Sequence, residues 1–158
     1  MRLANIVLDT NAFKIFTGKR AKKFVEKVVE NCDHIYVPKD FDKELRGRFL
    51  DSINLVYGLL RKLKNKFHEV SLDKKEKLPD DVKEKLDEEG ADDYDENLAR
   101  LAFRRRAKVE KEKVYLVSDD HCFQNTRELF KSHGIDVKSL KEFEDEYLAC
   151  LSSTSKRS

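Results

Sequence analysis

Short apolar runs alternate with longer amphipathic stretches along this chain. Ile6-Val7-Leu8 is a compact apolar run that ends at Asp9, which reads as a buried strand. Residues 21–31 place Phe24, Val25, Val28 and Val29 on one face of a helix. Ile35-Tyr36-Val37 is a second strand, stopped by Pro38. Between residues 41 and 66, Phe41, Leu45, Phe49, Ile53, Val56, Leu60 and Leu63 recur at threes and fours. That spacing predicts one long amphipathic helix, broken near Gly58.

Residues 67–72 form a short extended segment in this pattern. Residues 73–89 mix both charge signs with few apolar positions, which predicts a surface helix or connection starting near Pro79. Gly90 is the stop. Residues 95–109 are helical, with Leu98, Leu101, Ala102 and Phe103 as the apolar face. Residues 114–117 are a third strand, 122–133 a helix ending at Gly134, and 135–137 a fourth short strand. A final helix spans 139–151, with Ser139 and Glu142 spaced as a capping box. Residues 152–158 are a polar tail, expected to be disordered. Strands separated by helical segments imply βαβ units. The expected fold is a three-layer α/β/α sandwich with a central, mainly parallel sheet, in one domain over residues 1–151.

Composition narrows the function. The 158 residues contain 33 Lys plus Arg and 31 Asp plus Glu, a formal net charge of +2. So balanced a chain is neither a basic tail-binder nor an acidic disordered one. Any nucleic-acid surface must be local. No apolar stretch approaches the length of about 18 residues that a membrane span needs. Three widely spaced cysteines, Cys32, Cys122 and Cys150, match neither a disulfide framework nor a zinc site. They read as incidental thiols of a cytoplasmic protein. Five glycines leave no phosphate-cradling loop.

In an open parallel sheet, ligands bind at the carboxyl ends of the strands. Asp9-Thr10-Asn11 follows the first strand and Ser118-Asp119-Asp120 follows the third. Asp92-Asp93-Tyr94-Asp95 opens a helix, and Glu44 lies early in the helix after the second strand. Each acid taken singly has an ordinary use as a helix cap, a turn residue or a solvated charge. Four acids converging from four elements repel one another, and a divalent cation relieves that repulsion. Oxygen ligands select Mg²⁺ or Mn²⁺ over zinc.

Four blocks in order resemble the signatures of the PIN-domain nucleases. They are Ile6-Val7-Leu8-Asp9-Thr10-Asn11; Val37-Pro38 with Glu44-Leu45; Asp95-Glu96-Asn97-Leu98-Ala99; and Leu116-Val117-Ser118-Asp119-Asp120-His121-Cys122-Phe123. The third block carries Glu96 where the family usually has a small residue. The resemblance implies a Mg²⁺- or Mn²⁺-dependent endoribonuclease whose catalytic, metal-binding residues are Asp9, Glu44, Asp95 and Asp120. Ser118 stands where the family has Thr and would hold a neighbouring carboxylate by its hydroxyl. Asn11 would orient Asp9 or a water, or else cap the helix. Asp119, next to Asp120, would point away from the cluster. RNA is the expected substrate. The resemblance also suggests a homodimer and, for a toxin-type member, an antitoxin protein as partner.

Arg104, Arg105 and Arg106 are the expected RNA-binding patch, with Lys14, Lys19 and Arg20 beside the first strand end as further candidates. Two other readings stand beside this one. One is a catalytically weak scaffold or RNA-binding module in a ribonucleoprotein. The other is a structure-specific DNA nuclease, which the same metal chemistry permits.

Overall fold

In the computed structural model, residues 5–72, 76–108 and 112–148 are described. The strand-forming runs become β1 (Asn5–Leu8), β2 (Ile35–Pro38), β3 (Phe67–Val70), β4 (Val114–Val117) and β5 (Ile135–Lys138). They form one sheet in the order β3-β2-β1-β4-β5, and every pairing is parallel. Every residue of β1, β2 and β4 is buried, which is why these strands read as unbroken apolar runs. The order reverses between β1 and β4, which pair from Asn5↔Val114 to Leu8↔Val117.

Helices cover both faces. A 3₁₀ segment (Thr10–Thr17) follows β1 directly, and α1 (Ala21–Asn31) packs on it. Phe13, Phe16, Phe24, Phe41 and Phe67 form an aromatic cluster with ring centroids 5.3–6.4 Å apart. The long helix expected over 41–66 is interrupted. α2 (Phe41–Arg48) ends one residue after Gly47, not near Gly58. A 3₁₀ turn (Leu50–Ser52), α3 (Ile53–Leu60) and a second 3₁₀ segment (Arg61–Lys66) follow. The bend leaves Leu50 68% exposed while Val56, Leu59, Leu60 and Leu63 remain buried.

The charged segment is a surface helix, α4 (Asp80–Glu88), whose Val82 and Leu86 are fully buried. Gly90, at φ 78°, ends it, and Ala91 N–H donates to Leu86 O at 3.0 Å, as in a Schellman stop. α5 (Asp93–Lys108) then crosses the sheet on the face opposite α1, against β1, β2 and β4. Glu96, near the start of α5, has a structural use. It is buried, receives Lys83 Nζ from α4 at 2.5 Å and Arg100 at 3.3 Å, and so ties α4 onto α5.

The helix expected over 122–133 is two short helices, α6 (His121–Gln124) and α7 (Arg127–Ser132). Between them the buried Thr126 hydroxyl donates back to Cys122 O and Phe123 O, offering those carbonyls an alternative to the helix ladder. α8 (Leu140–Phe143) starts with a complete Ser139–Glu142 capping box and passes into a π-helical turn (Glu144–Leu148). The rest of the final helix expected to residue 151, Cys150 and the polar tail lie outside the described residues. No helix among the described residues is long and apolar enough to cross a membrane.

Burial, not charge pairing, anchors α4. Leu86→Ala should cost about 2–5 kcal/mol in denaturant unfolding. Lys83→Ala, whose side chain is 44% exposed, should cost clearly less. The reverse ranking would show that the ion pairs carry the attachment.

Candidate metal centre

Asp9 leaves the carboxyl end of β1, and its backbone N–H donates to Val117 O at 3.0 Å, so the ends of β1 and β4 are locked together. This is the crevice where the strand order reverses, the usual ligand position of such sheets. The Asp9 side chain, 2% exposed, makes no cap hydrogen bond to the helical segment that follows. It turns instead to β4. Ser118 Oγ donates to Asp9 Oδ2 at 2.6 Å, and Thr10 Oγ1 donates to Oδ1 at 3.3 Å. Ser118 Oγ in turn accepts the Asp120 N–H at 3.1 Å. One hydroxyl thus fixes two of the candidate acids.

The third comes from α5. Asp92 caps that helix: its Oδ1 accepts the Asp95 N–H at 2.8 Å, and Asp95 Oδ2 accepts the Asp92 N–H at 3.1 Å. The reciprocal pair orients Asp95 across the sheet edge. Asp120 caps α6 by accepting the Cys122 N–H at 3.2 Å. Asp95, Asp120 and Cys122 then offer ligand atoms all within 4.8 Å of one another, a group able to hold a metal ion. Asp9 and Glu44 lie outside that tight group. Asp9 acts on Asp95 by charge, and Glu44, half-buried on α2, acts with Asp9 on the Tyr94 hydroxyl.

The electrostatics reflect crowding without water. Burial, reinforced by the Asp120 charge and opposed by the Ser118 hydrogen bond, raises the Asp9 carboxyl to about 6. Burial also raises Asp95 to about 7; the Asp92 N–H opposes it, and the charges of Asp120, Asp92 and Asp9 add to it. Burial pushes the Cys122 thiol up, with Asp95 and Asp120 adding to it, so it stays a protonated thiol. Two adjacent carboxylates with a third nearby suit a hard cation, and a protonated thiol is a poor ligand for one.

Neighbouring acids do other work. Asp119 points away: its Oδ2 pairs with Lys14 Nζ at 2.6 Å and its Oδ1 accepts the Leu140 N–H at 2.8 Å. Asn11 Oδ1 accepts the Asp119 N–H at 3.3 Å and does not reach Asp9. Asn11 therefore ties the two strand ends together.

The expected arginine patch is not at this site. α5 runs antiparallel to the strands, so Arg105 sits ten residues and about 15 Å beyond Asp95, at the opposite end of the sheet. There Arg105 donates to Asn5 Oδ1 at 3.0 Å and covers the Tyr36 ring at 4.2 Å. Arg104 pairs with Glu76 and donates to Ser71 O, and Arg106 lies against the Gly134 backbone. The cation that acts on Asp9 is Arg48, exposed at the end of α2. It stands four residues after Glu44, a spacing that puts both on one helix face. Cys122 and Tyr94 were likewise legible only as sequence neighbours of Asp120 and Asp95.

No family model matches this chain, and no curated protein matches it. The site therefore rests on its geometry.

Asp9 has a folded carboxyl raised to about 6, so between about pH 4 and 6 the folded protein holds a proton that the unfolded chain has lost. Metal-free stability should fall as pH rises through that window. Asp9→Asn removes the term. Thermal or denaturant unfolding should show the variant gaining on the wild type by about 2 kcal/mol between pH 4 and 8 without metal. An equal or falling difference would mean that the Asp9 carboxylate stabilises the fold.

Proposed function

We propose that this chain is a Mg²⁺- or Mn²⁺-dependent endoribonuclease of PIN type, hydrolysing RNA phosphodiesters at the Asp9–Asp95–Asp120 centre. The observation that carries the reading is the convergence of three carboxylates from β1, α5 and the β4–α6 turn on the sheet's crossover crevice. Raised carboxyls that will not ionise together are what a divalent cation would relieve. The four sequence blocks that resemble the PIN family supply the same residues.

In this reading Asp95 and Asp120 are direct ligands, and Asp9, held by Ser118, completes the centre. Glu44 stands further out and acts through water. Asp95 and Asp120 would hold the cation, which when bound would supply a water of lowered pKa and charge shielding for the phosphate. Asp9 and Asp95 must shed their protons first, so cation affinity rises through neutral pH. Arg48, on the Glu44 side, and Lys14, beside Asp119, are the cations placed to meet the flanking phosphates. Arg104 and Arg105 are engaged with Glu76, Ser71 and Asn5 at the far end of α5 from this centre.

The direct test is cleavage of a single-stranded RNA with Mn²⁺ against an EDTA control. In single-turnover reactions at saturating Mn²⁺, Asp120→Asn should lose at least about a hundredfold in rate, as for a disrupted metal site. Asp119→Asn should keep the rate within a few-fold. Robust cleavage in EDTA, or an active Asp120→Asn, would end this reading.

A further inference from the structure

Tyr94 is 5% exposed, and its hydroxyl has no hydrogen-bond partner among the described residues. That is an expensive state, since an unmade hydrogen bond at a buried polar atom costs about 1–3 kcal/mol. The residue opens the first turn of α5, next to Asp95. The charges that act on its hydroxyl are Asp9, Asp40 and Glu44, with Arg48 opposing them. Asp9 at the end of β1, and Asp40 and Glu44 at the start of α2, act on this donor by charge, and none accepts its proton.

The group that would join these residues must accept from a phenol and donate to carboxylates at the same time. Water does both. A Mg²⁺ or Mn²⁺ ion held by few protein oxygens retains several waters, strongly polarised as donors. Waters of an ion held by Asp95 and Asp120 would be the donors available to Asp9 and Glu44. Phenylalanine would fill the same space with no orphaned oxygen, so the hydroxyl is the feature that calls for a ligand.

Resting on the metal-centre reading above, we propose that Tyr94 belongs to the cation site. Its hydroxyl donates to an outer-shell water of the hydrated divalent ion, and Glu44 accepts from the same water network. Tyr94 is thus a positioning residue for the hydrated cation. It also explains how Glu44, outside the tight ligand group, takes part in the site.

The experiment uses the full chain and Mn²⁺ alone, comparing wild type with Tyr94→Phe by titration calorimetry and by thermal unfolding with and without the ion. Tyr94→Phe should bind Mn²⁺ three- to tenfold more weakly and gain less in Tm from it. Its metal-free Tm should equal or exceed that of the wild type. Equal Mn²⁺ affinity in the two proteins overturns the proposal. So does a metal-free Tm several degrees lower with affinity unchanged, because the hydroxyl then serves the fold. A wild type that binds no Mn²⁺ at millimolar concentration overturns both this and the metal-centre reading. A wild type that binds Mn²⁺ in the expected way but leaves RNA intact overturns the ribonuclease reading alone.

Discussion

The hydrogen bond from Ser118 to Asp9 joins the two strands at which the sheet changes direction. It is made to a carboxylate almost without access to water, in a position where an apolar side chain would be more stable. Everything else at this edge is arranged around that cost. The same Ser118 oxygen receives Asp120, so the second acid is placed by the bond that holds the first. Asn11 and Asp119 brace the two strand ends from outside. The result is a rigid mount for carboxylates that repel one another, which is a poor way to stabilise a fold and a good way to prepare a cation site.

α5 divides the molecule by charge. Its first turn carries Asp93, Asp95 and Glu96, and its last carries Arg105, Arg106 and Lys108, each sign at the end that the helix dipole favours. Because the helix runs against the strands, the acidic end meets the carboxyl edge of the sheet and the basic end meets the opposite edge. The dipole lowers the cost of Asp95 as an anion, but burial outweighs it, and the group is still raised to about 7. Desolvation is therefore the dominant force on this site, the hydrogen bonds from Ser118 and the Asp92 N–H oppose it next, and repulsion among the acids comes third.

Much of this was legible in the residues. β1, β2 and β4 were plain because a strand buried on both faces is an unbroken apolar run. Asp9 and Ser118 followed from the rule that parallel sheets bind at their carboxyl ends. The single helix expected over 41–66 failed for a physical reason: 3₁₀ and α segments both bring side chains round at threes and fours, so the spacing continued across a break at Phe49. The arginines of residues 104–106 sit at the far end of α5 from the acids, a placement that adjacency along a sequence does not reveal. Cys122 and Tyr94 gave no signal, since their roles come from a tight turn and from a hydrogen bond not made.

The central claim is that these carboxylates hold a hard divalent cation. Anomalous diffraction from crystals soaked in Mn²⁺ at pH 8 tests it most directly. A single strong peak is expected at coordination distance from Asp95 and Asp120, with Asp9 and Ser118 unmoved and Tyr94 facing the hydration shell. No peak at that crevice, or a peak only at the surface His34–His68 pair, would contradict it.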